Sequence, residues 1–243
     1  MKRITINPVI IVMAVLLSVA TTAMAQTVVI PNGLTGEARQ YYPDAVMGNA
    51  QAQLVMGYCY KTGEGAPMDH NQAAYWYRKA AEQGDAMGMY NLGVCYEEGV
   101  GTPQDDAQAA YWFEKSAQIG DKFAQCSIGN YYFFGKGVKL DYKKAFKWFE
   151  KAAKQDFAPA QRCLGMCYDE GKGTKQNSKK AVEWYRKAAE QGDAEAQFNL
   201  GVSYLEGQGV SKNQTEAIMW LRRAAQQGDV DAQNTLRELG SNW

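Results

Sequence analysis

Histidine is nearly absent from this sequence: of 243 residues, only His70 is one. A lone imidazole cannot by itself complete a zinc site or a Ser-His-Asp triad. His70 reads instead as a solvated side chain in the first turn of a helix. An excess of either charge is missing too. Twenty-six basic residues stand against 26 acidic ones, so nothing provides the grip on phosphates that nucleic-acid binding needs. Catalytic signatures are also lacking. There is no Gly-x-Ser-x-Gly elbow and no Ser-x-x-Lys nucleophile. The stretch Gly129 to Gly137, with Gly135-Lys136-Gly137, has the wrong spacing for a phosphate loop and no Ser or Thr after the lysine. Cys163 and Cys167 share a helix face with no further ligand nearby in sequence. The sequence therefore points to no catalytic residue, no metal and no cofactor.

Long apolar runs are confined to the N-terminus. Lys2 and Arg3 precede an almost wholly apolar stretch from Pro8 to Ala20, and small residues lead to Ala23-Met24-Ala25. That order is a secretory signal peptide, residues 1–25, with cleavage expected after Ala25. The rival reading, an uncleaved anchor, would need about 20 apolar residues to cross a bilayer. A periplasmic or secreted location follows, with no membrane insertion after cleavage. The loss of Lys2 and Arg3 leaves 24 basic against 26 acidic residues, a net charge of −2. What remains is not a disordered polypeptide, because 46% apolar and 12% aromatic residues are enough to bury a core.

The rest of the chain is repetition. Trp76, Trp112, Trp148, Trp184 and Trp220 stand 36 residues apart, as do Gly57, Gly93, Gly129, Gly165 and Gly201. With Ala50 as position 1, the copies span 50–85, 86–121, 122–157, 158–193 and 194–229. Residues 26–49 form an N-terminal cap or linker, and 230–243 a C-terminal capping helix and tail. In each copy a first helix covers about positions 1–13. Asp85, Asp121, Asp193 and Asp229 sit where a carboxylate caps its start. A Gly-x-Gly turn such as Gly207-Gln208-Gly209 ends it. A second helix follows the Asp or Asn at position 20. Ala181, Trp184, Tyr185, Ala188 and Ala189 recur at i, i+3, i+4, i+7, i+8, which makes one apolar stripe. The mid-helix glycine at position 8 costs about 1 kcal/mol against alanine, so a large side chain of the second helix must approach it closely. Eleven helices are expected, with Trp148 in the core. The third copy departs from the pattern: Gln155-Asp156-Phe157 and then Pro159 predict a turn of different geometry. Asn213-Gln214-Thr215 matches a glycosylation sequon, but its asparagine already serves as a cap.

Leu200-Gly201-Val202-Ser203-Tyr204, Gly207-Gln208-Gly209 and Lys187 to Asp193 resemble the Sel-one-like repeat family, relatives of the tetratricopeptide repeats. The resemblance covers residues 50 to 239. It implies an all-α fold: a right-handed α/α solenoid of five 36-residue helix-turn-helix repeats with a C-terminal capping helix. It also implies binding of a protein or peptide partner, since solenoids present an extended concave surface. In the related repeats the first helix lines that groove. Carried over, positions 2, 5, 6, 9 and 12 face inward and positions 3, 7, 8 and 11 hold the core. The candidate partner-binding residues are then Tyr90, Asn91, Phe123, Asn130, Arg162, Phe198, Asn199 and Asn234. Amides can bond a peptide backbone, while aromatics supply contact area. The alternative is a hydrolase of the β-lactamase type, reported for cysteine-rich relatives. Against it, this chain lacks both that nucleophile motif and the paired cysteines of that branch.

Five cysteines, Cys59, Cys95, Cys126, Cys163 and Cys167, lie in first helices and none in a second helix. No bridge can therefore join the two helices of a repeat, and folding should not depend on disulfides. An odd number leaves at least one thiol free or bonded to another chain. Equivalent points on neighbouring first helices are about 8–10 Å apart, beyond the roughly 7 Å between Cα atoms that a disulfide tolerates. Only Cys126 with Cys163, at positions 5 and 6 of adjacent helices, escapes that limit.

Overall fold

The computed structural model describes residues 28–242; the proposed signal peptide, residues 1–25, lies outside them. Among the described residues there are twelve helices and no strand. They are α1 Gly36–Val46, α2 Ala50–Thr62, α3 His70–Glu82, α4 Ala86–Glu98, α5 Asp106–Gln118, α6 Lys122–Phe134, α7 Tyr142–Ala153, α8 Ala158–Glu170, α9 Ser178–Glu190, α10 Ala194–Glu206, α11 Gln214–Gln226 and α12 Val230–Glu238. No helix among the described residues is long and apolar enough to cross a membrane.

Local chemistry fixes where these helices begin and end. Asn49, Asp85, Asp121, Asp193 and Asp229 each accept a hydrogen bond from the amide three residues on. Such a bond satisfies one of the amides that a helix start leaves orphaned. Asp69, Asp105, Asp141, Asn177 and Asn213 do the same for the second helices.

Within a repeat, position 8 meets position 28 and position 4 meets position 34, so the two helices run antiparallel. The first contact explains the mid-helix glycines. A Cβ on Gly129 would lie 2.5 Å from the Phe149 ring, and one on Gly57 equally close to Tyr77. The large side chain is thus the residue after each tryptophan. Phe149 is 1% exposed, whereas Trp148, expected in the core, is only half-buried. Lys151 Nζ covers the outer face of the Trp148 indole, 4.0 Å from the ring centroid. Trp76 and Trp220 are buried.

The second contact was not legible in advance. Position 4 is a buried glutamine in Gln53, Gln125, Gln161 and Gln197. Each accepts from a glutamine at position 34, as Gln191 Nε2 donates to Gln161 Oε1 at 2.8 Å. Each donates in turn to an alanine carbonyl of the preceding second helix; for Gln197 this is Ala189, at 3.1 Å. Amide side chains therefore stitch repeat to repeat. In the second repeat both partners change together, to Met89 and Ile119.

The same bond explains α1, the helix that the repeat count does not anticipate. Gln53 Nε2 donates to the Ala45 carbonyl at 3.0 Å, so α1 stands where the second helix of a preceding repeat would. Gln40 occupies its tryptophan position and Pro43 lies inside it, which hides the pattern. The third-copy turn also differs from expectation. Asp156 takes a φ of 54°, the only positive value among the described non-glycine residues, where Gly192 takes 94°. The backbone stays left-handed and α8 starts in register; what changes is the cap, since Phe157 offers no side-chain acceptor.

Candidate functional site

Positions 2, 5, 6 and 9 of successive first helices line a shared face, and the face contains distinct depressions. A cavity of about 370 Å³ lies between α6 and α8. Asn130 and Arg162, two of the candidate residues, line it together with Cys126, Phe133, Cys163 and Met166. A second depression, about 240 Å³, is bounded by Leu54, Tyr58, Met87 and the candidate Asn91. A larger cavity of about 990 Å³ belongs to a different part of the fold, where α1 meets α3, and is lined by Tyr42, Tyr75 and Trp76 among others. None of the eight candidates lines it.

The candidates differ in how free they are. The Tyr90 ring sits 5.6 Å from Phe113 and 5.9 Å from Phe123, and Phe123 reaches Phe157 at 5.1 Å. Tyr90 and Phe123 therefore belong to one aromatic row that runs from the second repeat to the end of the third. Of the two, Phe123 is the more open, at 38% exposure. Burial holds the Tyr90 phenol above its ordinary range, while a hydrogen bond with Ser127 works the other way.

Arg162 is less available than its position suggests. Its Nε lies 3.2 Å from Asp193 Oδ1, and its Nη1 is paired with Glu195, so the guanidinium bridges the fourth and fifth repeats. Asn130 Oδ1 is 3.9 Å from the Cys163 thiol. Phe198 is half-buried against the cluster of Leu221, Ala224 and Leu236. Asn199 is half-buried, and its carbonyl accepts from Ser203 Oγ at 2.8 Å. Asn234 is exposed on α12 and accepts from Arg237 Nη1 at 3.0 Å. The structure thus groups Asn130 with Arg162 and Tyr90 with Phe123. Phe198, Asn199 and Asn234 stand on later helices.

Charge on this face is mostly internally matched. Lys136 joins Glu97 at 3.1 Å and Asp106 at 3.3 Å, crossing from the third repeat to the second. Among the described residues, no cluster of three or more His, Cys, Asp or Glu could hold a metal ion. Sequence reasoning missed Phe133 and Met166 as lining residues. Phe133 at position 12 and Met166 at position 9 do fall on the groove positions.

The Sel1 repeat model of protein families matches residues 50–85, 86–121, 122–157, 158–193 and 194–229. No curated protein matches the chain. Among solved structures, a protective antigen of uropathogenic Escherichia coli strains displaying an SLR fold is 40% identical, with a TM-score of 0.80 over 84% of this chain. This chain spans 44% of that antigen's length. A Sel1 repeat protein from Oxalobacter formigenes is 33% identical, with a TM-score of 0.77, covering 82% of this chain and 80% of its own. A Sel1 repeat protein from Klebsiella pneumoniae shares the fold at 22% identity, with a TM-score of 0.53 over 84% of this chain and 99% of its own.

Proposed function

The chain belongs to the Sel1 repeat family, and from that premise we propose that it is an exported, non-enzymatic scaffold that holds an extended segment of a partner protein. The Sel1 solenoid is typical of protein–protein interaction. The observation that carries the finer reading is the row of depressions along the first helices. One is lined by Asn91 and another by Asn130 and Arg162, with the partly open Phe123 ring on the same helix face. An extended peptide advances about 3.3 Å per residue, so its alternate side chains can enter successive depressions while amides bond its backbone. Periplasmic or secreted location rests on the N-terminal sequence. The description of the Escherichia coli relative as a protective antigen supports it.

The test is capture of partners from an envelope fraction with the full chain, then titration calorimetry with the partner recovered. Asn91→Ala and Phe123→Ala should weaken binding, the aromatic truncation by about 2 kcal/mol. Lys143→Ala, an exposed residue at the start of α7, should leave affinity unchanged. If the Lys143 variant loses binding while both groove variants keep it, the first-helix face is not the docking surface. N-terminal sequencing of the exported protein should begin at Gln26. Hydrolysis of nitrocefin by the purified chain would reinstate the hydrolase reading.

A further inference from the structure

We infer that Cys126 and Cys163 form a reactive dithiol for small organic disulfides, which enter the cavity between α6 and α8 and oxidise the pair to a bridge joining the third and fourth repeats. The inference does not rest on what occupies the first-helix face. Both sulfurs line the one 370 Å³ cavity. They stand on neighbouring first helices across the repeat boundary, Cys126 on α6 and Cys163 on α8. Cys163 also lies 3.9 Å from Asn130 Oδ1. All five cysteines are free, and the other three are placed differently. Cys59, Cys95 and Cys167 share position 10 of three separate repeats, and none of them lines this cavity.

The pair is electrically asymmetric, which assigns the roles. Pairing with Cys126 holds the Cys163 thiol below its ordinary range; burial opposes this, the Arg162 charge reinforces it, and the Asp193 and Glu195 carboxylates work against it. Cys126 is pushed well up by the same pairing and by burial. Burial, helped by the neighbouring Cys163 and Glu170, pushes Cys167 up to about 12. Arg162 lines the same cavity beside Cys163, and a neighbouring cation favours thiolate, the attacking form; Cys163 is therefore assigned as the nucleophile and Cys126 as the resolving thiol.

The chemistry balances without metal or cofactor. The Cys163 thiolate attacks one sulfur of R–S–S–R; that S–S bond breaks, and the departing RS⁻ takes up a proton. Cys126 then gives up its proton, and its sulfur attacks Cys163 Sγ. The second RS⁻ leaves and takes that proton. Two protein thiols become one disulfide, and the organic disulfide becomes two thiols. Cys167, four residues after Cys163 on the same helix, would have to distort α8 to compete, because neighbours at i,i+4 are about 5–6 Å apart between Cβ atoms and a disulfide needs about 3.8 Å.

The experiment uses the reduced full-length protein and bis(2-hydroxyethyl) disulfide. After acid quenching, unfolding and alkylation, digestion and mass spectrometry locate each cysteine. The expected product is a cross-link between the Cys126 and Cys163 peptides, with Cys59, Cys95 and Cys167 alkylated. Cys126→Ser should accumulate the mixed disulfide on Cys163. Cys163→Ser should react at Cys126 at least about ten times more slowly, because burial still raises that thiol once its partner is gone. Each variant is compared with the parent by far-ultraviolet dichroism. If a variant fails to fold, the parent's map alone decides. A parent protein whose five thiols stay unreacted would overturn the inference, as would a cross-link between Cys163 and Cys167 or an adduct spread evenly over all cysteines.

Discussion

Gln191 donates its side-chain amide to Gln161 at 2.8 Å, and Gln161 is 1% exposed. The Gln161 amide is directed in turn at the Ala153 carbonyl of the preceding repeat, at 3.4 Å. A buried amide is costly unless bonded, and this one is bonded within its own repeat and towards its neighbour. The relationship recurs at Gln83–Gln53, Gln155–Gln125 and Gln227–Gln197. It links the stacking of repeats to two polar residues instead of to apolar contact alone.

Gln161→Leu should therefore destabilise the protein by about 1–3 kcal/mol, because it leaves the Gln191 amide and a buried carbonyl less well paired. The double variant Gln161→Met with Gln191→Ile copies the apolar pair of the second repeat, Met89 and Ile119. It should recover part of that loss. Urea denaturation of both single variants and the double variant measures the coupling. Strict additivity would show that the pair does not act as a unit.

Phe149→Ala should cost about 3–5 kcal/mol, the range for a large aromatic removed from a core. Trp148→Ala should cost less, because its indole is half-buried and covered on one side by a lysine chain. Gly129→Ala probes the same contact from the other helix and should cost about 1–3 kcal/mol through overpacking. Denaturant midpoints rank the three. Equal midpoints for the Trp148 and Phe149 variants would contradict the burial difference.

Asp156→Val should be destabilising by about 1–2 kcal/mol, since a β-branched residue is a poor fit to positive φ. Asp156→Asn should be close to neutral, because asparagine tolerates the same conformation. Thermal unfolding of the two variants separates backbone conformation from mere loss of the carboxylate. A matched drop in both would point to the Asp156–Gln161 side-chain contact, 3.4 Å in length.

The repeat register, the helix caps, the turn glycines and the close approach at position 8 were all legible in the sequence. They recur at fixed spacing, and each has a local cause: an orphan amide, a positive φ or a missing Cβ. Local periodicity could not say which of two adjacent aromatics enters the core, because Trp148 and Phe149 both lie on the apolar stripe of α7. That choice belongs to the angle at which α7 meets Gly129. It could not reveal α1 either, whose register shows only once Gln53 is seen to bond Ala45. Nor could it tell that Arg162 would be held by Asp193 and by Glu195 of the next repeat, or that Cys126 and Cys163 would line one cavity. Those relationships join residues about 30 or more apart in the chain. Spacing within one helix carries no information about them, and only the stacking of one repeat on the next brings the groups together.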